Sequence, residues 1–85
     1  MLEDVLFSHP VILDLRPTRQ RKVDSAYEAI EAMQDGWPDR STHGRAYRRA
    51  LRTCRDALDG WQSGSSCRRA FVKAARSARL IAPGM

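Results

Sequence analysis

The chain has 85 residues, of which 42% are hydrophobic and 29% are charged. This composition is apolar enough for folding, and the length supports one small core rather than two. We therefore expect a single domain over residues 1–85, with an N-terminal segment at 1–8, a hairpin at 9–23 and three helices within 25–81. No uninterrupted apolar run exceeds three residues, whereas a membrane helix needs ~20, and the N-terminus lacks the bases of a signal peptide. These features predict a soluble cytoplasmic protein that does not associate with membranes.

The net charge of +5 is distributed unevenly along the chain. Residues 1–39 hold eight acids and four bases, which gives −4, and residues 40–85 hold eleven bases and two acids, which gives +9. Thirteen of the 15 bases are Arg, whose planar guanidinium suits carboxylates and phosphates alike. The acidic and basic regions are therefore predicted to face each other or to face charged partners.

The first predicted element is a two-stranded hairpin. Residues 10–16 alternate between apolar and polar side chains, as in a half-buried strand, and residues 19–23 are a weaker strand candidate. Pro17 and Thr18 between them are typical of a short turn. A hairpin of this size is marginal alone, and its unpaired edges would let two copies of the chain join edge to edge.

A first helix is predicted from a capping box at Ser25 and Glu28. Its apolar residues recur at steps of three and four, which places one stripe against a core. Gly36 and Pro38 are expected to end it. The stripe consists of Ala26, Ala29, Ile30, Met33 and Trp37, and the opposite side carries Glu28, Glu31 and Asp35.

A second helix is expected to begin at Ser41 or Thr42, to run to about Leu58, and to stop at a left-handed Gly60. At about 100° per residue its apolar and charged residues separate onto two sides. Pairs four residues apart, Arg52–Asp56 and Arg55–Asp59, are predicted to interact. The apolar side holds Ala46, Tyr47, Ala50, Leu51, Cys54, Ala57 and Leu58, extended by Trp61, and the charged side holds Arg45, Arg48, Arg49, Arg52, Arg55, Asp56 and Asp59.

A third helix is predicted after a serine cap within residues 63–66. Arg68 and Arg69 near its start oppose the helix dipole, and such broken local rules are enriched at functional sites. The inner stripe consists of Cys67, Ala70, Phe71, Ala74, Ala78 and Ile81, and the outer side holds Arg68, Arg69, Lys73, Arg76 and Arg79 together with Val72 and Leu80.

These elements predict an α+β fold in which an N-terminal two-stranded β-hairpin is followed by three α-helices around one small core. The predicted core consists of Val11, Leu13, Leu15, Val23, Ile30, Met33, Tyr47, Leu51, Cys54, Leu58, Phe71, Ala74 and Ala78.

Five short motifs follow one another in order along the chain. They are Phe7-x-x-Pro10-Val11, Val23-x-Ser25-x-x-Glu28-Ala29, Trp37-Pro38, Ala50-x-x-x-Cys54-x-x-Ala57-Leu58-x-Gly60 and Ala70-Phe71-x-x-Ala74-Ala75. By their order and spacing, the chain resembles the bacterial domain of unknown function 982 from about residue 7 to residue 81. The resemblance implies that family's fold and a cytoplasmic bacterial origin. It supplies no catalytic or binding residues, because no activity is assigned to the family.

Candidate metal ligands and catalytic groups do not converge in the sequence. His9, His43, Cys54 and Cys67 are scattered rather than paired at zinc spacing. Both cysteines lie on predicted inner stripes, where a free Cys behaves as a small apolar residue, although an antiparallel helix pair could bring their sulfurs together. We expect no metal, no cofactor and no enzymatic activity, since no nucleophile–base pair or glycine-rich phosphate loop is evident.

The functional predictions concern the two tryptophans and the basic residues of the second and third helices. Trp37 and Trp61 are predicted to anchor the core, and the alternatives are stacking platforms or contact points for a protein partner. The predicted partner-binding residues form what we call the Arg face, and they are Arg45, Arg48, Arg49, Arg52, Arg68, Arg69, Lys73 and Arg76.

Two functional hypotheses and one neutral interpretation describe the Arg face. The first hypothesis is a protein-interaction module that binds an acidic protein or a second copy of itself. The second is nucleic-acid binding through phosphate contacts, without strong sequence preference. The neutral interpretation is a solvated helix side that binds nothing. The protein-interaction hypothesis ranks first because no nucleic-acid recognition motif is present.

Overall fold

The computed structural model describes residues 4–15, 19–38 and 43–81. The fold class agrees with the prediction, since an antiparallel two-stranded sheet precedes three helices. The predicted turn at residues 17–18 and the predicted caps Ser41 and Thr42 lie outside the described residues. No helix among the described residues is long and apolar enough to cross a membrane. In chain order the elements are β1 (Leu6–Leu15), β2 (Arg19–Ser25), α1 (Ala26–Asp35), α2 (Arg45–Leu58) and α3 (Gly64–Ser77).

The hairpin is longer than predicted at both outer ends. β1 begins at Leu6 rather than near residue 10, and β2 continues to Ser25. The register runs regularly from Leu15↔Arg19 to Val11↔Val23 and resumes only at Leu6↔Ser25. β1 therefore bulges over residues 7–10, and this irregularity hides the strand from a search for strict alternation.

Contacts from α3 and from the segment that follows it lie at the outer edge of β1. The Asp14 amide donates to the Leu80 carbonyl at 2.7 Å, and Arg68 Nε donates to the His9 carbonyl at 2.8 Å. Pro10, within the bulge, has no N–H to offer a further strand. The Asp14 amide and the His9 and Pro10 carbonyls are therefore not free to pair with a further strand.

The predicted capping box begins α1. The Ser25 hydroxyl accepts from the Glu28 amide at 3.1 Å, and the Glu28 carboxylate accepts from the Asp24 amide at 2.8 Å. The carboxylate thus reaches one residue beyond the cap, and Ser25 itself ends β2, opposite Leu6. A salt bridge of 3.2 Å between Arg21 and Glu31 further fastens this helix to the hairpin.

The start of α2 differs from the prediction, whereas its end agrees. The N-cap is Gly44, in an extended conformation and without a side-chain hydrogen bond, so the predicted Ser41 or Thr42 cap is wrong. At the other end Gly60 has a φ of 86°, and the Trp61 amide donates to the Asp56 carbonyl at 2.8 Å. These features define a Schellman motif, in which a left-handed residue reverses the chain.

Ser63 caps α3, as predicted, but the helix ends at Ser77 rather than continuing to Ile81. Arg79 takes a φ of 60°, and the Leu80 amide donates to the Ala75 carbonyl at 2.8 Å. This second Schellman motif turns the chain back on the helix and buries Leu80, which the helical pattern had placed on the outer side.

The core lies between the hairpin and the three helices. All members of the predicted core are buried or are packed in part against it. The structure adds Phe7, Ala26, Ala29, Ala32, Trp37, Ala50, Ala57, Cys67, Ala75 and Leu80. Trp37 is buried, and its ring lies 5.8 Å from those of both Tyr47 and Phe71. The prediction for Trp37 is confirmed.

A disulfide joins α2 to α3 within this core. Cys54 and Cys67 are both fully buried, and their Cα atoms are 4.7 Å apart. Their placement on inner stripes is confirmed, but the expectation that they behave as free thiols is wrong. The bridge forms because the short connection after Gly60 folds α3 back against α2.

Candidate functional site

The structure divides the eight predicted residues of the Arg face into three groups: four line one groove, two line only a second groove, and two line neither. α2 contributes Arg45 and Arg49, and α3 contributes Arg69 and Lys73, to one groove between the two helices. We call this groove, of about 530 Å³, the basic groove. Its full lining consists of Arg45, Ala46, Arg49, Thr53, Gln62, Ser66, Arg69, Ala70 and Lys73.

The walls of the basic groove are formed by cationic side chains, and its floor is formed by small side chains. The four cationic residues on the walls are exposed, whereas Ala46 and Ala70 between them are half-buried and pack against the core. Thr53, Gln62 and Ser66 bring hydroxyl and amide groups to the end near the α2–α3 turn. The groove thus offers positive charge on both sides of a shallow apolar strip.

A second groove, of about 590 Å³, lies on the other side of α3. It shares Arg69 and Lys73 with the basic groove, so these two cations form a ridge between the two depressions. The second groove reaches the β1 bulge through Ser8. Its full lining consists of Ser8, Gly64, Ser65, Arg68, Arg69, Val72, Lys73 and Arg76.

Arg68 has a structural contact that the sequence did not reveal. Its Nε donates to the His9 carbonyl at 2.8 Å, and its Nη2 donates to the Pro10 carbonyl at 3.4 Å. The apparent violation of the helix-dipole rule at this position is therefore compensated, because the guanidinium ties α3 to the bulge of β1. Arg68 is engaged within the chain, unlike the four cations of the basic groove.

Arg48 and Arg52 line neither groove. At about 100° per residue, Arg52 lies about 40° and Arg48 about 80° around the helix axis from the midpoint between Arg45 and Arg49. Both residues are exposed, and neither lines the basic groove or the second groove. The sequence placed these four arginines on one side, and the position of α3 decides which two of them meet a second cationic wall.

No carboxylate of residues 4–15, 19–38 and 43–81 pairs with the cations of the basic groove. Among the described residues, none of the four groove cations forms an ion pair, and the predicted pairs Arg52–Asp56 and Arg55–Asp59 are also absent. Several acids are engaged elsewhere. Asp4 accepts from the Tyr27 amide, Glu28 accepts from the Asp24 amide at the start of α1, and Glu31 forms a salt bridge with Arg21 of the hairpin. The groove keeps its positive charge.

The disulfide lies directly behind this surface. Cys54 follows Thr53, and Cys67 follows Ser66, and both of these neighbours line the basic groove. The covalent link therefore holds the two cationic walls in one relative position.

The other residues that could carry chemistry do not gather into a site. Within residues 4–15, 19–38 and 43–81, no group of three His, Cys, Asp or Glu side chains could hold a metal ion. His43 stacks on Tyr47 with ring centroids 4.0 Å apart, and His9 lies in the β1 bulge.

The prediction that Trp61 anchors the core is wrong. It was expected in the core as an extension of the α2 stripe, but it is 79% exposed. The stripe argument fails there because Gly60 reverses the chain before Trp61. The predicted left-handed stop at Gly60 itself implies that helical spacing no longer applies beyond it, so the extension of the stripe to Trp61 conflicts with that stop.

A hairpin and three helices, two of them linked by a disulfide, define a small α+β domain with two grooves lined by cationic residues. The chain belongs to the family of proteins of unknown function DUF982, whose model matches residues 9–82. It is similar to the NMR structure of Agrobacterium tumefaciens protein Atu1219, at 36% identity and a TM-score of 0.77. That match covers 95% of this chain and 79% of the other. No curated protein matches the chain.

Proposed function

We propose that this protein is a non-enzymatic interaction module that binds an acidic protein partner through the basic groove. One observation carries the proposal: four cations from two helices converge on a groove, and no carboxylate of the described residues pairs with them. Like charges held side by side repel one another until a counter-charge approaches. An anionic partner therefore relieves a repulsion that the folded chain maintains.

The floor of the groove supports a protein partner over a polyphosphate backbone. Ala46 and Ala70 form an apolar strip between the cationic walls. A protein segment can place an apolar side chain on this strip and carboxylates on either side, which combines a desolvated centre with a charged rim. A phosphate backbone satisfies the walls but brings no apolar group to the floor.

The experiment compares two charge reversals on neighbouring residues. Arg49→Glu and Arg48→Glu produce the same net charge on the same helix, but only Arg49 lines the groove. The probe is fluorescein-labelled poly-L-glutamate, titrated by anisotropy at low salt. Arg49→Glu is expected to weaken binding by about fivefold to tenfold, and Arg48→Glu by less than about twofold. Equal losses for both variants would mean attraction to net charge alone and would contradict the proposal.

Nucleic-acid binding is the second candidate, and the exposed Trp61 is the observation that favours it. Bases stack on exposed aromatic rings while phosphates contact nearby cations. Gln62, the next residue, lines the basic groove, so the indole is attached at one end of it. If single-stranded oligonucleotides bind more tightly than poly-L-glutamate, and if Trp61→Ala removes that preference, this candidate replaces the first.

Self-association is a narrower form of the first proposal. A second copy could present the acidic side of α1 to the groove, but two of its three acids, Glu28 and Glu31, are already engaged within their own chain. The β1 edge is similarly engaged through Asp14, His9 and Pro10. We therefore propose a different protein as the partner. Light scattering coupled to size exclusion tests this choice, since a dimer that dissociates at high salt would favour self-association.

The cellular compartment belongs to the proposal as well. The sequence predicts a cytoplasmic protein, whereas disulfides persist mainly in oxidising surroundings, so the Cys54–Cys67 bridge counts against that prediction. Rapid alkylation of thiols in intact cells, followed by mass measurement, distinguishes a reducing compartment from an oxidising one. Alkylation of both cysteines would support a reducing compartment, and protection of both would support an oxidising one.

A further inference from the structure

The walls and floor of the basic groove suggest the shape of its partner, in addition to its charge. We infer that the occupant is an amphipathic α-helix with a stripe of small residues and with carboxylates on both sides of that stripe. This inference rests on the proposed function, because it specifies which kind of acidic protein segment the groove accepts.

The cations are spaced at helical intervals along both walls. Arg45 and Arg49 are four residues apart on α2, and Arg69 and Lys73 are four residues apart on α3. Four residues of helix rise about 6 Å. Carboxylates four residues apart on a partner helix have the same rise, so one pair can contact each wall when the helix axes are nearly aligned.

Two walls require two rows of carboxylates. An extended strand presents only one row of side chains to a surface, because alternate residues point in opposite directions. A helix presents a central stripe with a flank on each side, as the e and g positions flank the a and d positions of a coiled coil. The two-sided distribution of cations therefore favours a helical occupant.

The small floor permits the close approach that helix packing needs. Helix axes pack about 8–10 Å apart, with the shortest distances where the contacting side chains are small. Ala46 on α2 and Ala70 on α3 leave the strip between the walls shallow. A partner stripe of Ala, Ser or Gly would bring its flanking carboxylates within reach of the cations, whereas a stripe of large residues would lift them away.

The length of the groove sets the minimum length of the segment. From Arg45 to Thr53 the lining extends along α2 over nine residues, which rise about 12 Å along the helix axis. The occupant thus needs a little over two turns, and Thr53, Gln62 and Ser66 can hydrogen-bond the unpaired backbone groups at one of its ends.

Two synthetic helices of one composition provide the test. Both are 21-residue, fluorescein-labelled peptides with Ala at positions a and d. The flanking peptide carries Glu at e and g, and the control peptide carries the same number of Glu at b and c, on the far side of the helix. Anisotropy titrations at low salt are expected to give the flanking peptide an affinity about tenfold higher. Far-UV circular dichroism of each mixture reports whether the peptide is helical when bound.

A change in the floor tests the same inference without altering charge. Ala70→Leu fills the strip and is expected to weaken binding of the flanking peptide at least about fivefold, while binding of poly-L-glutamate changes less than about twofold. Ser77→Leu adds a similar side chain at an exposed position of α3 outside the groove and serves as the control. Thermal melting verifies folding of each variant, and Ala46→Leu replaces Ala70→Leu if the latter does not fold.

The outcomes separate this inference from the proposed function. Equal affinity of the flanking and control peptides, or a flanking peptide that binds without becoming helical, would overturn the helix inference. It would leave the acidic-partner proposal intact if Arg49→Glu still weakens binding of poly-L-glutamate. Failure of every acidic probe to bind at low salt would overturn both.

Discussion

Removal of the Cys54–Cys67 bridge should destabilise the domain strongly. The two cysteines are separated by 13 positions, and the chain-entropy treatment of a loop of this size gives about 3 kcal/mol of stabilisation from restriction of the unfolded chain. A domain of this length has a total free energy of unfolding of only about 5–10 kcal/mol. The bridge therefore accounts for a large share of the stability, and the reduced protein should melt about 12–24 °C lower.

Urea unfolding of the oxidised and reduced protein measures this difference. Both samples are monitored by far-UV circular dichroism, and alkylation followed by mass measurement confirms the state of the thiols. Cys54→Ala/Cys67→Ala provides the control, since its stability should resemble that of the reduced protein and should not respond to reductant. A difference below about 1 kcal/mol between the oxidised and reduced forms would refute the reasoning, because loop closure would then contribute far less than its expected value.

Four further substitutions test local features of the fold by urea or thermal unfolding. Arg79→Gly should raise the free energy of unfolding by about 0.5–1 kcal/mol, because glycine adopts the left-handed conformation without the steric cost that Arg79 bears; an unchanged value would contradict a positive φ there. Gly60→Ala should lower the free energy of unfolding by about 1 kcal/mol, because alanine disfavours the left-handed conformation. This loss is the only one expected, because no atom lies within 4 Å of the added methyl group. Arg68→Ala should cost about 1 kcal/mol through its lost bonds to the β1 carbonyls and should accelerate hydrogen exchange in β1; normal exchange would show that Arg68 does not hold the bulge. Ser25→Ala should cost about 1 kcal/mol, and a loss below about 0.3 kcal/mol would mean that the α1 cap contributes little.

The parts of the fold that local rules determine could be predicted from the sequence. Ser25 and Glu28 specify the start of α1 through contacts within four residues, and Ser63 does the same for α3. Gly60 specifies a left-handed stop because glycine is the residue that adopts this conformation most readily. The helical stripes then indicated correctly which sides of the helices face the core.

The errors arise where distant residues decide a local outcome. Arg79 adopts a left-handed conformation that its side chain disfavours, so no rule could anticipate the turn that buries Leu80. The disulfide depends on the relative placement of two helices, which periodicity does not supply. Arg68 looked uncompensated because its acceptors, the carbonyls of His9 and Pro10, lie nearly 60 residues away in the chain.

The candidate site was predictable in composition but not in arrangement. Helical spacing identified the cations of α2 and α3, but an outward position on one helix does not determine which neighbour lies beside it. Arg48 and Arg49 are adjacent in sequence, and only Arg49 lines the basic groove. This distinction requires the packing of α3 against α2, which the sequence pattern does not specify.

The unequal distribution of charge has a kinetic consequence. The hairpin and α1 belong to the half of the chain with a charge of −4, while α2 and α3 belong to the half with +9, within a particle 36 Å long. Among the described helices, α1 carries three acids and no base, whereas α2 and α3 together carry nine bases and one acid. The field of an approaching polyanion therefore exerts a torque that turns α2 and α3 forward before contact. Because the screening length is about 8 Å at physiological ionic strength, this orientation acts mainly at short range. Added salt should therefore slow association much more than it accelerates dissociation.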